Sequence, residues 1–387
     1  MPVFSHIKIG FASRLAALYA AIFTMVGIQL PFFPVWLNTK GLDPGMIGVV
    51  LAAPMIVRMI AIPVAARVAD ARDALRATIL VASCLGAAGY ALLGFADGAA
   101  TILIVYALTA LALTPVMPLS ETYALKGLAA RGRAYGPVRL WGSAAFILGT
   151  FIAGFATDTI PARYFIWLIV AGAALSAAAA FALEPMSTGA APQAKPAPPR
   201  PHLLRDPAFI AVVAASSLIQ ASHAVFYGFS ALQWHGLGLD GTAIAALWAL
   251  GVLAEIVLFA ISGKLPLQPI ALLMIGSVGG ALRWAAMALN PPEAALPFLQ
   301  LLHAASFGAT HLGALGFVAR HAPHGQSATA QGYLSIAQGA AMAAATGLSG
   351  WLYGAFGARA YAAMALAAVA GGVASYVAHR TGRIAAV

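Results

Sequence analysis

What most constrains this chain is the repetition of long, nearly charge-free apolar runs, which leave little sequence for anything else. Taking charged or Pro/Gly-marked positions as breaks, the runs fall near residues 12–36, 45–66, 76–95, 100–122, 136–157, 161–183, 208–233, 241–262, 268–289, 294–319, 328–355 and 359–379. A bilayer core about 30 Å thick takes roughly 20 apolar residues per helix. Inside lipid a segment must satisfy its own backbone polar groups, so such runs predict helices. Composition agrees: 62% of residues are hydrophobic and 8% charged, against about 25% charged in an ordinary soluble domain. The fold class expected is all-α and integral to a membrane.

Lys8 and Arg14 precede the first run, which is longer than a signal-peptide core and has no clear small-residue cleavage site, so it is expected to remain as the first helix. Between the sixth and seventh runs, Pro185, Pro192, Pro196, Pro198, Pro199 and Pro201 stand among Lys195, Arg200 and Arg205, a composition for extended, solvated backbone. The expected organisation is a six-helix bundle over 1–183, a cytoplasmic Pro-rich linker over 184–206 and a second six-helix bundle over 207–387. Gly142 and Gly149 in the fifth run and Gly332 and Gly339 in the eleventh repeat one spacing, a faint sign of related halves.

Orientation follows from the basic residues. With the N-terminus inside, 15 of the 21 Lys and Arg fall on the cytoplasmic side, and only Lys40, Arg163 and Arg359 on the other. The remaining three, Arg58, Arg139 and Arg283, lie within runs or at the start of one. The net charge of +10 is scattered over short loops without a contiguous patch, which argues against a nucleic-acid partner. Cys84 is the only cysteine, so no intramolecular disulfide forms, and neither a metal nor a cofactor is expected.

Charges inside a bilayer are costly and mark functional positions or buried pairs. Here they are Arg58, Glu121, Arg139, Glu255 and Arg283, joined by His223, His303 and His311. Glu121 ends the fourth run and Arg139 opens the fifth, so antiparallel neighbours bring them to one depth. They form either a structural ion pair or a substrate contact in which the planar guanidinium takes a carboxylate. Trp141 and Phe146 follow on the same helix as apolar or stacking surface. Glu255, Arg283 and His303 sit on three consecutive helices and have the make-up of a proton-coupling cluster. His223, for substrate, and His311, for the proton, are further candidates, each with the alternative of a hydrogen-bonded core histidine. Arg58 has no carboxylate on its own or the next helix; it contacts an anionic substrate or reaches another helix. No phosphate-binding loop, H-E-x-x-H or G-x-S-x-G motif is present, which leaves an ion gradient as the energy source and no enzyme chemistry.

Several stretches carry a family resemblance: Tyr135-Gly136-Pro137-Val138-Arg139-Leu140-Trp141-Gly142-Ser143, Leu247-Trp248-Ala249-Leu250-Gly251-Val252-Leu253-Ala254-Glu255, Leu282-Arg283-Trp284 and Leu301-Leu302-His303-Ala304-Ala305-Ser306-Phe307-Gly308-Ala309-Thr310-His311. Over nearly its whole length the chain resembles the major facilitator superfamily, in the branch of the 3-phenylpropionate permease, related to lactose permease and nucleoside-proton symporters. The resemblance implies the major facilitator fold: 12 transmembrane helices in two six-helix bundles, N- and C-termini cytoplasmic, in a multi-pass protein of the bacterial cell inner membrane. Glu121 and Arg139 match the pair with which lactose permease holds sugar, Glu255 its eighth-helix Glu, and Arg283 and His303 its ninth-helix Arg and tenth-helix His. Ser306 stands where that permease has a proton-carrying Glu, and Phe146 where it has a sugar-stacking Trp. The superfamily's loop motif survives as Ala66-Arg67-Val68-Ala69-Asp70 with Arg76, which implies a gating loop.

The expected function is secondary active transport: proton-coupled symport of a small organic solute such as an aromatic carboxylate, by alternating access. Arg58, Glu121, Arg139, Phe146, Trp141 and His223 are the substrate candidates; Glu255, Arg283, His303 and His311 are the proton-coupling candidates. The expected partners are a small-molecule substrate, protons and membrane lipids, with the protein a monomer. Alternatives are a sugar or nucleoside symporter, a drug or metabolite exporter or, from another class, a non-transporting membrane receptor.

Overall fold

The computed structural model describes residues 10–186, 203–264, 267–322 and 326–384, and among these all regular structure is helical. Most of the Pro-rich linker expected over 184–206 lies outside them. In chain order the helices are α1 (Phe11–Thr39), α2 (Pro44–Ala71), α3 (Leu75–Gly94), α4 (Ala99–Ala129), α5 (Gly136–Thr159), α6 (Ala162–Phe181), α7 (Pro207–Gly236), α8 (Gly241–Ser262), α9 (Pro269–Ala288), α10 (Glu293–His321), α11 (Ser327–Phe356) and α12 (Tyr361–Ile384). Among the described residues, 11 stretches are long and apolar enough to cross a membrane. The last of these, Thr329–Thr381, holds both α11 and α12 with a short 3₁₀ turn, Gly357–Ala360, between them. That turn opens on Gly357 at φ +55°, a conformation a side chain would oppose.

Three helices are interrupted, and the interruptions position the site. In α4 the break is at Thr114–Pro115, where proline has no N–H to continue the ladder and the Thr114 hydroxyl donates to Ala110 O at 2.8 Å. In α7 it falls at Ser222–His223. In α10 residues Ala304–Ala309 are π-helical. Non-α backbone at membrane depth survives only where protein or a wet cavity satisfies it.

The helices fall into two compact units, Met1–Trp36 with Val57–Gln193 and Leu37–Ile56 with Ala194–Val387. In the first, α3 packs on α4 and α6, and α1 meets α5 at Gly149, where a Cβ would strike the Thr24 carbonyl. Gly142 of the same helix faces the Phe23 ring, whereas Gly332, its counterpart in the faint repeat, has open space. The buried core at the unit's basic end gathers Leu15, Leu18, Tyr19, Ile79, Leu119 and Tyr123. There Arg76, from the expected gating loop, donates to the last carbonyls of the α6 segment: Nε to Leu183 O at 2.6 Å and an Nη to Phe181 O at 3.1 Å. A cation at a helix C-terminus completes orphan carbonyls. Glu184 beside it receives Arg131 at 3.0 Å and Arg14 at 3.8 Å, while Asp70 is exposed.

In the second unit α12 packs on α7 and α9, α11 on α7, and α10 on α8 and α9. Ser277 of α9 donates to Ala368 O of α12 at 2.8 Å. The start of α2 belongs here, its Gly48 backbone lying against that of Gly350 in α11. With lipid tails as apolar as the side chains, such close packing and interhelical hydrogen bonds hold the helices together. The outward residues suit lipid: Phe298 and Leu366 are each 70% exposed.

Candidate functional site

In the first unit α1, α4 and α5 bring Tyr19, Phe23, Glu121, Tyr135 and Arg139 together. The Arg139 guanidinium lies over the Phe23 ring, Cζ 4.2 Å from its centroid, and 6.0 Å from that of Tyr19. The Tyr19 and Tyr135 hydroxyls are 3.4 Å apart. Glu121 and Arg139 are in electrostatic contact, with Glu121 half-buried, but they make no ion pair within 4 Å. The close ion pair weighed from the sequence is therefore absent, and the guanidinium packs on the Phe23 ring. Phe146, two turns from Arg139, is buried, its carbonyl against Gly27 of α1. Trp141 does not join them. It is 61% exposed and lines a shallow cavity with Ser13, Arg133 and Pro137. Two residues along a helix turn about 200°, which carries Trp141 away from Arg139. Arg58 forms no ion pair among the described residues.

In the second unit Arg283 of α9 is fully buried and is the hub. One Nη lies 3.1 Å from His303 Nδ1 and 3.5 Å from Ser306 Oγ, and the other donates to Gln300 Oε1 at 2.6 Å. Phe226 and Trp284 flank the guanidinium, Cζ 4.6 and 4.4 Å from their ring centroids. Arg283 Nε and Gln300 Nε2 are buried without hydrogen-bond partners among the described residues. His303 Nε2 faces Glu255 Oε2 of α8 at 3.5 Å, so the three residues expected to form a cluster do so. Gly251, one turn before Glu255, lets His303 approach: a Cβ there would lie 3.3 Å from the His303 Cβ.

The partners fix the histidine tautomers. A guanidinium can only donate, so His303 Nδ1 accepts and Nε2 carries the hydrogen that points at Glu255. His223 sits at the break in α7, which leaves carbonyls without helical partners. Its Nδ1 lies 3.2 Å from Ile219 O and 3.1 Å from Gln220 O, so Nδ1 donates. Its Nε2 then accepts from the Ser306 hydroxyl at 3.1 Å. His223, proposed from the sequence as a substrate contact, is fully buried and edge-on to His303 at 5.5 Å, within this network. His311 lies outside the hydrogen bonds but continues a column of rings, His303 to Phe307 at 5.2 Å and Phe307 to His311 at 6.3 Å. The π segment aligns them, because i→i+5 bonding widens the turn and brings residues four apart nearly into register.

Sequence reasoning passed over Gln300, Phe23 and the contacts that Ser306 makes. A neutral amide, a ring and a hydroxyl do not stand out in an apolar helix. The spacing still held one signal: Gln300, His303 and Ser306 follow each other at three-residue intervals on one face of α10.

Buried polar networks inside lipid-suited helices fit a chain that handles a solute, and comparison with known proteins decides the family. A model of the MFS_1-like family matches residues 12–386. The chain belongs to that family. It is 32% identical over 368 residues to a protein of Escherichia coli (strain K12) named as a probable 3-phenylpropionic acid transporter, covering 92% of this chain and 94% of that one. It is 28% identical over 338 residues to a maltose permease of Geobacillus stearothermophilus, covering 86% of this chain and 83% of that one. A crystal structure of a point mutant of the nucleoside transporter NupG superimposes with a TM-score of 0.82 at 18% identity, covering 96% of this chain and 100% of that one, and so shares the fold. The protein is thus a multi-pass major facilitator transporter and not an enzyme.

Proposed function

We propose that the chain is a proton-coupled symporter of the bacterial inner membrane for a small aromatic carboxylate, working by alternating access. The observation that carries the reading is the chain of contacts from Gln300 through Arg283 and His303 to Glu255, which joins a carboxylate, an imidazole and a guanidinium on three helices. Glu255 is the proton carrier. Ionised, it holds the His303 Nε2 hydrogen; protonated, it releases that ring, and Arg283 with it, to a second arrangement. Ser306, lacking a carboxyl, leaves this role to Glu255. His311 completes the ring column beside it.

On the substrate side, Arg139 and Arg58 supply cations for a carboxylate, and Phe23 and Phe146 supply apolar surface for a ring. Glu121, within electrostatic reach of Arg139, is a further substrate contact. Asp70 and Arg76 mark the gating loop at the basic end, which is the cytoplasmic side. Counting α11 and α12 separately gives 12 spans in two six-helix halves, 1–183 and 207–387, with both termini cytoplasmic. The name of the Escherichia coli relative supports an aromatic acid as substrate.

The test is uptake of 3-phenylpropionate into proteoliposomes. An inward proton gradient drives accumulation by the native protein, and Glu255→Gln abolishes accumulation while keeping solute exchange at equal pH. Accumulation that ignores the gradient, or that survives Glu255→Gln, overturns the coupling. A sugar substrate is the second reading, favoured by the maltose permease relative; competition by maltose but not by 3-phenylpropionate would select it.

A further inference from the structure

At the basic end of the second unit, away from the Arg283 network, α9, α10 and α12 enclose a cleft of about 540 Å³. Its wall is apolar, formed by Ile270 and Met274 of α9 and Phe317 of α10. Its rim is polar and carries a fixed cation, Arg320, beside the imidazoles of His321 and His379, Gln268 and the half-exposed ring of Tyr376. Arg320 donates to Gln268 Oε1 at 2.9 Å. His321 stacks on Phe317 at 4.5 Å between ring centroids and faces Asp206 at 3.5 Å. All 11 acidic residues of the chain are among those described. None pairs with Arg320 or His379, and Arg380 follows on the same turn.

The cleft thus joins two surfaces that different parts of one molecule would satisfy. A free anion would use the rim and leave the apolar wall to nothing, whereas a neutral lipid would fill the wall and leave the Arg320 cation unanswered. We propose that this cleft is a binding site for an anionic phospholipid, its phosphate on Arg320 and His379 and its acyl chain along Ile270, Met274 and Phe317. Basic pockets between helices at a membrane face recognise such headgroups, and an aromatic such as Tyr376 suits the same depth. The site is separate from the transport network and does not depend on which solute is carried.

The experiment compares the purified full chain in nanodiscs of phosphatidylglycerol and of phosphatidylcholine, by melting temperature and by lipid retention in native mass spectrometry. Phosphatidylglycerol is expected to raise the melting temperature by several degrees over phosphatidylcholine and to be retained. Arg320→Gln with His379→Gln removes that difference, and Met274→Trp, which fills the exposed wall without touching the charges, removes it too. If the double variant does not fold, Met274→Trp alone decides. Equal protection by both lipids, a difference that survives Met274→Trp, or full protection by inorganic phosphate in detergent overturns the proposal.

Discussion

Replacing Gln300 separates two roles of the contact it makes. Its Oε1 accepts from the buried Arg283 at 2.6 Å, while its own Nε2 has no partner among the described residues. Gln300→Leu deletes a charge-assisted bond worth about 1.5–3 kcal/mol but also removes an orphan donor whose burial costs about 1 kcal/mol, for a net loss of about 0.5–2 kcal/mol. At roughly 2 °C per kcal/mol for a large chain, melting falls by about 1–4 °C. Gln300→Glu keeps the acceptor, removes the orphan and adds a charge. At 2.6 Å the attraction is about 6 kcal/mol at an effective dielectric of 20, set against a desolvation cost of several kcal/mol, so the variant melts at or above the parent. If transport requires Arg283 to leave this arrangement, the same charge slows it, tenfold for each roughly 1.4 kcal/mol of extra pairing. Melting in nanodiscs and initial uptake rates in proteoliposomes measure both. Gln300→Glu with raised melting and undiminished uptake would refute the idea that Arg283 moves in the cycle.

Other substitutions probe the remaining contacts. Ser306→Ala leaves His223 Nε2 buried without a donor and is expected to destabilise by about 1–3 kcal/mol, read from melting. Arg139→Ala is expected to raise KM for a carboxylate substrate at least tenfold and to spare its uncharged amide analogue; equal loss for both would place Arg139 in structure only. Arg76→Ala frees two carbonyls at the partly exposed end of the α6 segment and is expected to cost about 0.5–1.5 kcal/mol, with faster proteolysis at that end of the unit. Gly149→Leu drives a side chain into the Thr24 carbonyl and is expected to abolish folded expression.

Hydropathy made the helices readable because lipid imposes a rule on every spanning residue. The grouping of Glu255, Arg283 and His303 was readable for the same reason, since each is too costly in hydrocarbon to stand alone. What was less visible depends on direction and on neutral groups. Proximity in sequence suggested Trp141 as a neighbour of Arg139, although a helix turns one from the other. Glu121 and Arg139 had the right depth, but depth does not say whether two side chains meet, and Arg139 lies over the Phe23 ring. Gln300 and Ser306 carry no charge, so their role emerges only when Arg283 and His223 are seen to need partners. The break at His223 has no proline to announce it.

The π-helical turn of α10 gives the span a tolerance in length that no hydropathy plot registers. Removing one residue between Ala304 and Ala309 would leave the apolar pattern intact and restore an ordinary helix. Because an i→i+5 turn holds about one residue more than an i→i+4 turn, the tightened turn would offset the lost residue, leaving Thr310 and the helix beyond it close to their present faces, with Thr310 still against Gly276. Insertions and deletions are usually accommodated in loops, yet here a wide turn in mid-membrane could give up a residue with both halves of α10 still seated, the change falling on the spacing of the ring column from His303 to His311.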